Sequence, residues 1–242
     1  MPQLRLRWHY RSRYEQLIAF SNRNFYDGDL VTFPSAQADA PGIGVDYFHV
    51  DGIFDRKTHT NRKEAEFIVD LIFRNIQKYP DRSLGVVAFS VAQQDLIDKL
   101  LSKRRQQLPQ WEPFFRQDAA EPFFIKNLET VQGDERDTIL FSVAYGKDAQ
   151  GRLLHNFGPL NRTGGERRLN VAVTRAKCNV QLVSSMHDTD IDLKRTSSDG
   201  ARLLREYLDY AEHGAAALER SMRVRPYEQF DSDFELEVCE FL

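Results

Sequence analysis

Apolar and polar positions alternate along the chain in two rhythms, one of period about 3.6 and one of short continuous runs. Tyr14, Leu17, Ile18 and Phe25 share one helical face, which predicts a helix over 14–25. Residues 34–44 are rich in Pro, Gly and Ala and read as a loop, and 45–50 read as a strand. Asn61 with Glu64 three residues on matches an N-cap with an acid in the first turn. Behind that pair, Ala65, Ile68, Val69, Ile72 and Ile76 form a helical stripe. The apolar run 84–89 suits a strand buried in a parallel sheet. A second amphipathic helix is predicted over 91–107, with Leu96, Ile97, Leu100 and Leu101 inward. Three prolines across 109–122 predict a loop. Strands are predicted at 123–126, 138–144 and 180–184. Helices are predicted at 164–177, with Leu169, Ala172, Val173 and Ala176 inward, and at 199–213. Strands separated by helices imply right-handed crossovers and a layered α/β domain with a mainly parallel sheet. The sheet pattern stops after 213, so a core over 1–213 and an acidic linker or tail over 214–242 are expected. No internal repeat or low-complexity tract is present.

Composition narrows the function classes. The chain has 242 residues, 41% hydrophobic and 29% charged, with 33 basic and 36 acidic side chains and a net charge of −3. No run approaches the roughly 18 apolar residues of a membrane-spanning helix, and 2 cysteines cannot make a disulfide scaffold. The start, Met-Pro-Gln-Leu-Arg-Leu-Arg, lacks the apolar stretch of a signal peptide, so a cytoplasmic protein without a membrane partner is expected. The near-neutral mean conceals asymmetry. Residues 1–13 hold Arg5, Arg7, Arg11 and Arg13 and no acid; residues 160–177 are basic; residues 218–242 are acidic. Two basic segments far apart in sequence could converge on one anion, or could simply decorate surface faces.

Three segments carry candidate chemistry. In Arg7-Trp8-His9-Tyr10-Arg11-Ser12-Arg13 a guanidinium beside an aromatic can bind phosphate bidentately while the ring stacks; an ordinary surface loop is the plainer reading. Thr130-Val131-Gln132-Gly133-Asp134-Glu135-Arg136-Asp137 is a polar turn before a strand, where Glu135 could accept from sugar hydroxyls. Its adjacent carboxylates would otherwise face water, and no metal site is expected there. In Arg167 to Lys177, Arg168 and Arg175 lie seven apart and would share a helix face opposite the apolar stripe, as they would on any amphipathic helix.

In this order and spacing the segments resemble the second RecA-like domain of superfamily 1 helicases of the Upf1-like group. His9-Tyr10-Arg11-Ser12 resembles that group's Tyr-Arg motif, and Asn24 to Leu30 its Phe-Tyr-x-Gly-x-Leu continuation. Asn61 to Ala65 resembles its Asn-x-x-Glu-Ala helix start, and Val87 to Gln94 its strand-then-Gln segment. Thr130 to Asp137 is similar to motif V, and Asn170 to Lys177 to motif VI. The likeness covers roughly residues 4–187. It implies a RecA-like fold of the P-loop NTPase type and an ATP-dependent DNA or RNA helicase, with DNA repair among the associated processes. It implies that Arg175 is an arginine finger and Arg11 a second phosphate sensor. Tyr10, Gly133 and Glu135 would face the nucleotide, and Ser90, Gln93 and Thr130 would grip single-stranded DNA or RNA.

The sequence has no Gly-x-x-x-x-Gly-Lys-Ser/Thr and no apolar strand ending in Asp-Glu. ATP with Mg²⁺ would therefore be held mainly by a first RecA-like domain, the expected intramolecular partner. The chain reads as a fragment without ATPase of its own. Gln229 to Glu240 resembles the first helix of a restriction-endonuclease-like domain, which keeps a nuclease system open, beside a non-catalytic nucleic-acid- or partner-binding module.

Overall fold

A computed structural model describes residue 9 and residues 11–32 and 40–222. The candidate Tyr10 and the acidic segment 229–240 lie outside these residues. Five strands form one sheet: β1 (Gly44–His49), β4 (Leu84–Ala88), β5 (Phe124–Asn127), β6 (Arg136–Gly146) and β7 (Ala176–Ser185). A two-residue hairpin, β2 (Phe54–Asp55) and β3 (Thr60–Asn61), stands beside them. The sheet order is β1-β7-β6-β4-β5, and every neighbouring pair is parallel. The helices are α1 (Gln16–Tyr26), α2 (Arg62–Lys78), α3 (Val91–Gln107), α4 (Gly165–Val173), α5 (Asp199–His213) and α6 (Ala215–Met222).

Apolar strands explain the layering. All five residues of β4 are buried. Alternate residues of β6 face opposite ways: Ile139, Phe141 and Val143 pack with α1, α4 and α5, whereas Leu140 packs with α2 and α3. The sheet is thus covered on both faces, as parallel sheets require. The stripe Ala65, Ile68, Val69, Ile72 and Ile76 is wholly buried, and Asn61 caps its helix by accepting from the Glu64 N–H at 3.2 Å. Beyond Gly214, α6 buries Ala217 in the same core. Among the described residues no helix is long and apolar enough to cross a membrane.

The structure corrects two predicted elements. The helix expected over 164–177 ends at Val173, and β7 begins at Ala176. Thr174 ends it: its hydroxyl donates to the Asn170 and Val171 carbonyls at 3.0 and 3.1 Å, competing for the groups that another turn would use. Arg175 therefore sits in the turn, and Arg168 and Arg175 do not share a helix face. Pro109–Phe115, expected as loop, forms a 3₁₀ turn.

Candidate functional site

The amino ends of β6 and β7 gather the basic segments. The Arg13 N–H donates to the Lys177 carbonyl at 2.8 Å, which lays the segment before α1 along the start of β7. Arg11 then reaches Glu135, Nε to Oε2 at 2.8 Å, and its Nη1 lies 3.5 Å from the Thr174 carbonyl. Arg175 folds onto its own helix end, with Nε donating to the Val171 carbonyl at 2.6 Å and Nη2 to Thr174 Oγ1 at 3.1 Å. Burial, then the nearby Arg11 charge, pulls the Arg175 pKa below its ordinary value. His9 is likewise lowered by burial, then by Arg11 and Arg175, which favours its neutral form. Glu135 is the carboxylate in direct contact, and it is 41% exposed. Lys177 Nζ pairs with Glu121 and stands 3.9 Å from Glu135 Oε1. The two half-buried arginines carry charges that repel each other, a repulsion that an anion would relieve.

The loop 128–135 leads from the carboxyl end of β5 to the amino end of β6, so it traverses the depth of the sheet. Gly133 takes φ +92 within it, over open space. The carboxylates of 134–137 have separate partners: Asp134 pairs with Lys126 at 2.5 Å, Glu135 with Arg11, and Asp137 accepts from Ser83. Arg136 fixes the loop's end, donating to the Pro122 carbonyl at 2.9 Å and stacking 4.7 Å from the Phe124 ring centroid.

A family described as AAA domain matches residues 1–187. The chain belongs to the AAA domain family. Two relatives are ATP-dependent helicases by name. MG140 of Mycoplasma genitalium, called an uncharacterized ATP-dependent helicase, is 39% identical over 213 residues, 86% of this chain and 18% of that protein. The MG140 homolog of Mycoplasma pneumoniae is 36% identical over 210 residues, again 86% of this chain and 18% of that protein. The AAA domain therefore spans under a fifth of the length of the relatives it matches. A solved C-terminal domain of a possible DNA helicase from Lactobacillus plantarum aligns with TM-score 0.43 and 13% identity, over 82% of this chain and 96% of that one.

The remaining candidates of this AAA domain lie at the opposite, carboxyl end of the sheet. Ser90 caps α3, its Oγ accepting from the Gln93 N–H at 3.2 Å, and it is half-buried. Thr130 is exposed, and its Oγ1 accepts from the Asn127 N–H at 3.1 Å. Gln93 is not on the surface. Its Oε1 accepts from Asn61 N at 2.8 Å, and its Nε2 donates to the Asn61 carbonyl and to Ser142 Oγ, both at 3.0 Å. With its amide fully engaged and buried, Gln93 has nothing to offer a nucleic acid directly. Sequence reasoning also missed Lys177 as a member of the arginine cluster and Glu64 as a buried group. For Glu64 the signal was visible, an acid at a position of the apolar stripe, but the capping pattern accounted for it first.

Proposed function

We propose that this AAA domain is the second motor half of an ATP-dependent DNA or RNA helicase, supplying arginines to ATP hydrolysis and a grip on a single strand. The convergence of Arg11 and Arg175, 164 positions apart, supports this reading most strongly. The residues present fit a phosphate: two guanidiniums, half-buried, with their mutual repulsion met by one partly exposed carboxylate. ATP with Mg²⁺ supplies the γ-phosphoryl group and its counter-charge, held mainly by another RecA-like domain, because this sequence has no glycine-rich phosphate loop. Arg175, anchored through Nε to Val171 and through Nη2 to Thr174, offers Nη1 to oxygens that gain charge in the transition state. Arg11 takes a second oxygen, and Glu135, released from Arg11, turns to Lys177 or to a sugar hydroxyl. By resemblance Gly133, and Tyr10 outside the described residues, would face the same nucleotide.

At the other end, Ser90 and Thr130 hold the phosphodiester backbone with uncharged hydroxyls, which suits a chain of net charge −3. The loop 128–135 carries Thr130 near one end and Glu135 near the other, so closure around nucleotide moves the strand grip. Steady-state ATP hydrolysis by the full-length protein tests the reading. Arg175→Ala and Arg11→Ala are expected to lower strand-stimulated kcat, Arg175→Ala by about 10³-fold, with ATP binding retained. Normal turnover in Arg175→Ala would overturn it.

A further inference from the structure

Glu64 is fully buried, and the polar groups around it are themselves buried, yet no role proposed so far uses it. Its Oε2 accepts from Ser142 Oγ at 3.0 Å and from the Ala144 N–H at 2.7 Å, and its Oε1 from Asn61 Nδ2 at 3.3 Å. Ala144 has φ +66, a left-handed conformation costly for alanine, at the irregular stretch of β6 between Ser142 and Gly146. The carboxylate thus holds a strained backbone N–H in place. Burying a carboxyl group costs free energy unless each oxygen is satisfied, and here donors arrive from the start of α2 and from β6.

The hydrogen bonds form a directed chain. Gln93 Nε2 donates to Ser142 Oγ, and Ser142 Oγ donates to Glu64 Oε2. Gln93 also clasps both backbone polar groups of Asn61, and its own N–H donates to Ser90 Oγ. Asn61 Nδ2 donates in turn to Ser185 Oγ at 2.8 Å, at the end of β7. Glu64 is therefore the hub that ties the first turn of α3, where Ser90 sits, to the carboxyl ends of β6 and β7. The loop after β1 lies directly on this hub, since a side chain at Gly52 would collide with Asn61 and Ser185.

We propose that Glu64 is a positioning residue for the single-strand grip, acting through Ser142 and Gln93 to fix Ser90 against the sheet. This rests on the reading that Ser90 contacts the strand. Glu64→Gln keeps the volume, but its amide must turn a donor toward the Asn61 donor, because Oε2 already receives two. Losing one hydrogen bond to a charged group corresponds to about tenfold in an equilibrium.

The experiment uses the full-length protein and a labelled oligothymidylate. Glu64→Gln is expected to raise Kd for the oligonucleotide about tenfold. The strand concentration giving half-maximal ATPase should rise likewise, with maximal ATPase within about twofold. Ser90→Ala should weaken binding by a similar factor, and the double variant should be no weaker than either single one. Ser142→Ala, a smaller change that cuts the chain in its middle, should reproduce the loss. Wild-type affinity in Glu64→Gln or in Ser142→Ala overturns the proposal, as do fully additive penalties in the double variant. A wild-type protein that binds no single strand would instead overturn the helicase reading, and this inference with it.

Discussion

Replacing Glu64 by Gln should change how stability depends on pH. Burial raises the Glu64 carboxyl from an ordinary 4.5 to about 7, partly opposed by hydrogen bonds from Ala144, Ser185 and Ser142. In the unfolded chain the group loses its proton near 4.5; in the folded chain it keeps it to near 7. Between these values the folded state binds more protons, so the stability contribution, fully present below about 4.5, falls as pH rises and is lost by about pH 7. A shift of that size corresponds to roughly 3 kcal/mol. Glutamine does not titrate, so Glu64→Gln loses this dependence while keeping every other group's. Denaturant unfolding of both proteins at pH 5, 6, 7 and 8 isolates it by difference. At pH 5, where both side chains are neutral and each sets one donor among donors, the two proteins should be of similar stability, and the variant should gain on the wild type by about 2–3 kcal/mol by pH 8. A stability difference that stays constant across this range would refute a buried carboxyl with a raised pKa at this position.

Other outcomes follow from the same geometry. A Cβ at Gly165 or at Gly200 would collide with the Leu160 carbonyl, which is wedged between α4 and α5. Gly165→Ala and Gly200→Ala should each cost about 1–3 kcal/mol, read by thermal unfolding; a Tm equal to wild type would contradict that packing. Arg136→Ala leaves the Pro122 carbonyl without its guanidinium and Phe124 without its stacked cation. It should lower stability by about 2 kcal/mol and speed hydrogen exchange in 128–135; unchanged exchange would separate Arg136 from the loop. Arg175→Lys should recover little of the activity lost in Arg175→Ala, because a lysine lacks the planar fork and the Nε anchor to Val171, and full recovery in an ATPase assay would argue for charge alone.

The layered α/β fold was readable because apolar stripes report burial directly: the α2 stripe and the run 84–88 are where the pattern places them. Local polar competition was harder to read. Asn170 to Lys177 has helical periodicity throughout, yet Thr174 diverts two carbonyls and the chain turns into a strand, so the arginine placed on a helix face stands at a turn. Only the resemblance places Gln93 at the nucleic acid; its burial depends on Asn61 and Ser142, 32 and 49 positions away, and no local pattern carries that. Glu64 shows the reverse: an N-terminal acid in a helix has a sufficient local explanation, which hid its long-range partners on β6. The meeting of Arg11 with Arg175 follows from the pairing of the first segment with β7, a tertiary event that two basic segments only allow.

The central claim is that Arg175 and Arg11 complete an ATP site formed with another domain. Its most direct test is a structure of the full-length protein with a single strand and ADP–aluminium fluoride, the mimic of the transferred phosphoryl group. The account predicts both guanidiniums at hydrogen-bond distance from the fluoride ligands, with the Arg11–Glu135 pair opened. Arginines still folded onto Val171 and Glu135, with the mimic contacted by other residues, would contradict it.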